Sequence, residues 1–290
     1  MESELTHPEA DFRGSLRDHL RTLAEQHPSS GQAWFDYAKF LHEEFPASTD
    51  TVTALERAQQ LLPDEDLSLL LGNALIETGS VREGFHQICQ FLEGHPTAFA
   101  YLVLGVHLLE LGRSHRARKF LRRSHVIDST RADTCVLLGM AFSDVSLRVA
   151  AGWYRKALAI DPEYQSAWSG LGHALLEKPE TRIEGLDALK KALELDPKDA
   201  WSRLCLAVGC WMAGRLDEAE RYYRRVAEEN PDDEIYREYY AAFQAKEGRG
   251  APEVVGGMDH DRPEGSPPRG SGAEASGAAR EGAGEIRRPG

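Results

Sequence analysis

Residues able to do chemistry are plentiful in this sequence, but they do not assemble into a catalytic set. His42-Glu43-Glu44 opens like the helix of a zinc protease yet lacks the second histidine one turn on. The eleven histidines are scattered, with no pair at ligand spacing on one helix face that a third group would complete. Met258-Asp259-His260-Asp261 has metal-binding residue types, but its Gly- and Pro-rich surroundings fix no geometry. Cys89, Cys135, Cys205 and Cys210 include no CxxC pair, and each sits among apolar residues at helical spacing. They read as buried, reduced thiols. No glycine-rich phosphate loop lies between a strand and a helix, and no strand is predicted at all. The expectation is therefore no enzyme, no metal and no cofactor.

Charge narrows the partners. The formal net charge of -13 disfavours nucleic acid and anionic membrane surfaces and suits a basic or mixed-charge protein surface. One stretch runs against it: Arg113, His115, Arg116, Arg118, Lys119, Arg122, Arg123 and His125 crowd together. This is either a solvated face or a second docking site for an acidic protein or RNA, centred on Arg116, Lys119, Arg122 and Arg123. Only Phe120 is interleaved as an aromatic, which weakens the RNA reading. The opening Met1-Glu2-Ser3-Glu4 is acidic and leads into no apolar core, so no signal peptide is expected. The greasiest stretch, 98–111, is interrupted by Gly105, His107 and Glu110 and is too short to span a bilayer. Together with reduced cysteines, these features make the cytoplasm the expected location.

The elements that must position any site are repeats. Leu71-Gly72, Leu104-Gly105, Leu138-Gly139 and Leu171-Gly172 recur at intervals of 33, 34 and 33 residues. Tyr37-Ala38 and Leu206-Ala207 extend the ladder at both ends. A second ladder runs Pro28, Pro63, Pro96, Ser129, Pro162, Pro197, Pro231 with steps of 33 to 35 residues. Within a unit, Tyr101, Leu104, Gly105 and Leu108 fall three or four apart; the pattern breaks at Gly112 and resumes through Ala117, Leu121 and Ser124. Two amphipathic helices are predicted, with Gly112 ending the first and Ser114 capping the second. Small residues at Gly105 and Ala117 let the two approach closely. Prolines end the second helix.

These residues resemble the tetratricopeptide repeat family, whose pattern runs aromatic, Leu-Gly, bulky residue, turn glycine, alanine, aromatic, alanine, proline. Trp168, Leu171-Gly172, Leu175, Gly185, Leu189, Ala192 and Pro197 fit it with one residue inserted in the turn. Leu71-Gly72, Leu75, Gly79, Gly84, Ile88, Phe91 and Pro96 keep its spacing, with Ser68 in the aromatic slot. Leu206-Ala207, Gly214, Ala219, Tyr223, Val226 and Pro231 fit as well; Arg203 occupies the aromatic slot there, and Trp201 is expected to fill it. The fourth unit lacks the turn glycine and its halves are out of frame by one. The resemblance implies an all-α fold, a right-handed α-solenoid of helix-turn-helix repeats. Residues 1–28 would form an N-terminal capping helix, 29–232 six repeats and 233–247 a C-terminal capping helix. Residues 248–290, rich in Gly, Pro and Ser, would be a disordered tail.

The family binds partner proteins on a concave wall made by the first helix of each pair. Carried over by position, that wall would include Phe35, Lys39, His42 and Glu43; Leu69, Asn73, Ile76 and Glu77; Leu102, Val106, Leu109 and Glu110; and Ser169, His173, Leu176 and Glu177. An acidic residue recurs at one position, Glu43, Glu77, Glu110 and Glu177, with Asp144 in the out-of-frame unit. A carboxylate at the end of a helix opposes the helix dipole and costs about 0.3–1 kcal/mol. The implied partner is a protein segment with apolar anchors and basic flanks. A chaperone-tail clamp is not expected: Asn73 fits, but Leu69, Val106, Val136 and Met140 stand where two lysines, an asparagine and an arginine belong. Trp34-Phe35-Asp36-Tyr37-Ala38-Lys39-Phe40 resembles the half-a-TPR repeats of RNA-processing scaffolds. Two alternatives thus stand beside the adaptor: an RNA-associated scaffold using residues 113–125, and a self-assembling module using the aromatic C-terminal helix. The oligomeric state stays open.

Overall fold

The computed structural model describes residues 8–45, 47–62 and 67–245, with side chains from residue 13 onward. Fourteen helices and no strand make up the described residues. After α1 (Pro8–Gln26) come α2 (Gly31–Glu44) with α3 (Thr49–Leu61), α4 (Ser68–Glu77) with α5 (Val81–Gly94), and α6 (Ala98–Glu110) with α7 (Ser114–Ile127). Then follow α8 (Ala132–Ser143) with α9 (Leu147–Ile160), α10 (Gln165–Leu176) with α11 (Arg182–Leu195), α12 (Ala200–Met212) with α13 (Leu216–Glu229), and α14 (Glu234–Ala245). The described chain divides into two compact units, 8–104 and 105–245, with the boundary inside α6. Pro63, the last two residues of the expected C-terminal capping helix, the expected tail 248–290 and Met258-Asp259-His260-Asp261 lie outside the described residues.

The turn glycines do what a residue with a side chain resists. Gly79, Gly112 and Gly214 have φ of 93°, 66° and 73°, the left-handed region that ends a helix. Beyond Gly112 the Arg113 N–H donates to Leu108 O at 2.7 Å, and beyond Gly214 the Arg215 N–H donates to Cys210 O at 2.9 Å. These bonds satisfy carbonyls that the helix leaves over. The fourth pair manages without glycine. Its first helix stops at Ser143, and Ser146 accepts from the Val149 N–H to start α9.

Close approach within a pair rests on small residues. A Cβ on Gly105 would lie 2.3 Å from a Leu121 methyl, and one on Gly139 would lie 2.5 Å from the Tyr154 ring. At the start of the first helices a second regularity appears. Trp34 and Trp168 each donate the indole N–H to the carbonyl of the proline six residues earlier, Pro28 and Pro162. Arg203 does the same toward Pro197 O with its guanidinium and also binds Glu229. The expectation that Trp201 fills this slot is corrected: Arg203 is the buried residue there, and Trp201 stands half-buried beside His173. A guanidinium supplies the same N–H and has a flat surface of its own to pack.

The terminal helices are covered on their apolar sides. Ala24 of α1 belongs to the first unit's core with Tyr37, Leu41, Leu55 and Leu71. Phe243 of α14 is 1% exposed, and Tyr236, Tyr239 and Tyr240 pack against the same cluster. The aromatic side of α14 therefore faces its own unit, with Phe243 buried and the three tyrosines half-buried. No helix among the described residues is long and apolar enough to cross a membrane.

The cysteines divide. Cys135, Cys205 and Cys210 are buried, but Cys89 is exposed, against the expectation of four buried thiols. It lies next to Ile88 in α5, one step round the helix from the buried stripe. Burial pushes the Cys210 thiol up to about 11 and raises Cys135. Burial with the neighbouring Glu93 raises Cys89 as well, so accessibility rather than acidity separates Cys89 from the others. The expected result with a thiol-specific chromogenic reagent at neutral pH is prompt reaction of one thiol in the native protein. The other three should react only as denaturant opens the core. Prompt reaction of Cys89→Ser protein would contradict the buried positions.

Candidate partner-binding surfaces

In the first unit α2 and α4 bring the expected wall residues together differently from one another. Lys39 and Glu43 are exposed and Phe35 is half-buried. His42 and Asn73 are buried, with Asn73 Nδ2 3.3 Å from His42 Nε2. Asn73 also donates to Glu77 Oε1 at 3.4 Å, and His42 Nδ1 stands 3.9 Å from Glu77 Oε2. Glu77 is thus part of an internal polar cluster joining two first helices, not a rim carboxylate offered to a partner. Leu69, Ile76 and Leu102 are buried. Ile76 packs over Gly84 of α5, where a Cβ would lie 2.6 Å from its Cγ1.

In the second unit the carboxylates and the apolar residues separate. Glu110, Asp144 and Glu177 are exposed. They stand at the C-terminal ends of α6, α8 and α10, one per first helix. Glu110 Oε2 lies 3.0 Å from Nδ1 of the buried His107. Val106, Ser169, His173 and Leu176 are buried and Leu109 is half-buried. Leu176 packs over Gly209 of α12, where a Cβ would come within 2.6 Å of its methyl. The apolar anchors expected at Ile76 and Leu176 are therefore core residues. Each is consumed by the element that packs next to it, the second helix of its own pair or the first helix of the next.

The basic stretch falls on α7. Arg116, Lys119, Arg122 and Arg123 are exposed, whereas Arg118 donates to Ala141 O at 2.6 Å and so ties α7 to α8. Both Arg118 and Arg122 hold their guanidinium 5.2 Å above Phe142. Reading α7 alone missed its neighbour: α9 adds exposed Arg148, Arg155 and Lys156. The signal was the lack of any carboxylate between Leu147 and Ile160. Among the described residues no group of three His, Cys, Asp or Glu side chains is arranged to hold a metal.

The family model described as tetratricopeptide repeat matches residues 184–246. No curated protein is similar in sequence. Among solved structures, a chain of the APC/C hetero-tetramer Cut9–Hcn1 is similar with a TM-score of 0.65 at 16% identity, over 80% of this chain and 46% of that one. This chain therefore spans about half the length of that relative. The crystal structure of MamA is similar with a TM-score of 0.50 at 20% identity, over 56% of this chain and 95% of MamA. At such identities the likeness is one of fold.

Proposed function

We propose that this chain is a non-catalytic adaptor holding a segment of a partner protein against its first helices, a reading that starts from the match of residues 184–246 to the tetratricopeptide repeat model and from the fold shared with the Cut9–Hcn1 chain. The repeat fold is that of protein–protein interaction scaffolds, whose stacked units expose more surface than a globular domain of the same size. The observation that carries the finer reading is the succession Glu110, Asp144, Glu177. Three exposed carboxylates stand at equivalent ends of consecutive first helices, all within the second unit. Each opposes the dipole of its own helix by about 0.3–1 kcal/mol, and a lysine or arginine from a partner offsets that cost. With Ile76 and Leu176 in the core, the partner is recognised by its basic residues and by contact with half-buried Leu109. The similar Cut9–Hcn1 chain comes from a hetero-tetramer, which fits a protein that works by holding another. Three free buried thiols fit a reducing compartment, and the cytoplasm is the proposed location.

The test is affinity capture from native lysate with the full chain beside a Glu110→Lys, Asp144→Lys, Glu177→Lys variant, followed by mass spectrometry. The expected outcome is a partner with a basic segment, retained by the wild type and weakened at least about tenfold in the variant. Identical partners at identical yield would exclude this rim as the working surface.

A further inference from the structure

Two second helices of the second unit, α7 and α9, form a surface unlike that of any other second helix among the described residues. Between them they carry Arg116, Arg118, Lys119, Arg122, Arg123, Arg148, Arg155 and Lys156 and not one Asp or Glu. Every other second helix carries carboxylates, from Asp50 and Glu56 on α3 to the acidic run of α13. In a chain of net charge -13 this is a local inversion of sign.

The two helices are joined by aromatic contacts. His125 of α7 meets Trp153 of α9 edge-on with ring centroids 5.1 Å apart, and Lys156 Nζ sits 3.9 Å over the same indole. Burial and the Lys156 charge lower the His125 pKa, so the imidazole is neutral at physiological pH and joins the patch as a ring. Arg155 pairs with Glu184 of α11 at 2.7 Å. Arg116, Lys119, Arg122, Arg148 and Lys156 form no ion pair among the described residues. Aliphatic side chains stand exposed on the same two helices: Val126 at 84%, Ile127 at 50% and Val149 at 37%. At Gly152 the backbone of α9 lies open, with nothing within 4 Å of where a Cβ would be.

We propose that the outer face of α7 and α9 is a second docking site, and that its occupant is an acidic protein segment carrying aliphatic side chains. Charge complementarity selects Asp and Glu. Val126, Ile127 and Val149 give the aliphatic residues of such a segment somewhere to bury, which a phosphate backbone does not need. Nucleic acid fits less well, because the patch's one tryptophan has a lysine over its ring and a histidine at its edge, leaving little to stack a base on. The chain's net negative charge does not prevent a short segment from binding, since at physiological salt charges beyond about 8 Å are screened. This surface shares no residue with the carboxylate rim, although Arg118 and Arg122 lie over Phe142, two residues before Asp144.

The experiment measures fluorescence anisotropy of the full chain with three labelled probes: a peptide of Asp, Glu, Leu and Ile, its Asn/Gln counterpart, and an oligouridylate. The expected result is saturable binding of the acidic peptide, weakening as salt rises. Arg116→Glu, Lys119→Glu, Arg123→Glu protein should lose at least about tenfold in affinity. The matching Gln variant should fall between the two, which keeps the result interpretable if reversal disturbs folding. The Glu110→Lys, Asp144→Lys, Glu177→Lys variant should bind the acidic peptide no more weakly than the wild type, because it removes carboxylates and leaves the α7 and α9 cations in place. Equal binding of the Asn/Gln peptide, tighter binding of the oligouridylate, or unchanged affinity in the α7 variants would each overturn the proposal.

Discussion

Gly84→Val will destabilise the first unit by about 3 kcal/mol or more, measured as a lowered urea midpoint of the full chain. The reason is backbone against backbone. A Cβ on Gly84 would lie 2.4 Å from Gly72 O, 2.6 Å from Ile76 Cγ1 and 3.0 Å from Ile76 N. Gly72 is no softer from its own side, since a Cβ there would lie 2.8 Å from Gly84 O. A flexible side chain gives way by changing rotamer; a helix carbonyl does so only if the whole helix withdraws. Valine branches at Cβ and has no rotamer that avoids the clash. Withdrawal would open the contact around Ile88, which is fully buried. Gly94→Ala is the matched control, at the other end of α5 with nothing within 4 Å, and it should be neutral or stabilising by up to about 1 kcal/mol. A Gly84→Val midpoint equal to that of Gly94→Ala would refute the close crossing.

That crossing is the kind of feature a sequence displays openly. The Leu-Gly ladder and the turn glycines state which residues must be small and where the chain must turn. Gly72, Gly84 and Gly105 sit at close approaches, and Gly79, Gly112 and Gly214 at left-handed turns. Such requirements are local, so a fixed spacing encodes them. The binding wall is not local. Ile76 and Leu176 occupy repeat-equivalent positions, yet one is covered by Gly84 of its own second helix and the other by Gly209 of the following first helix. Periodicity gives the direction a side chain leaves its helix, but what covers it depends on how closely the neighbouring element packs. A glycine thirty-three residues downstream of Leu176 decides that. Glu77 was hidden for a related reason: its partners His42 and Asn73 come from two helices, and no single repeat contains the cluster. Arg203 shows the reverse error, in which a residue foreign to the family pattern still performs the slot's task by donating to Pro197 O.

Tyr223→Phe will stabilise the protein by about 1 kcal/mol, while Tyr223→Ala will cost about 3–5 kcal/mol. The ring is fully buried between α12 and α14, edge-on to Trp211 at 6.3 Å and tilted against Phe243 at 5.1 Å. Deleting it removes the centre of the cluster that holds α14 in place, and with it the aromatic contacts on both sides. Its hydroxyl is another matter, because no protein group among the described residues accepts or donates a hydrogen bond to it. Folding therefore strips that oxygen of water without replacement, a cost that phenylalanine avoids. Burial, and then the neighbouring Tyr239, raise the Tyr223 pKa above the ordinary phenol value. A group whose folded pKa is raised gives its stability below the unfolded pKa and loses it as pH climbs past that point. For tyrosine the loss begins near pH 10 or so, where the unfolded chain starts to ionise and the folded one does not. The advantage of Tyr223→Phe should therefore widen between neutral pH and pH above about 10, read as the difference in urea midpoints. A phenylalanine variant less stable than wild type at neutral pH would mean that the hydroxyl is paired. A gap that stays constant through the alkaline range would mean that it is not desolvated.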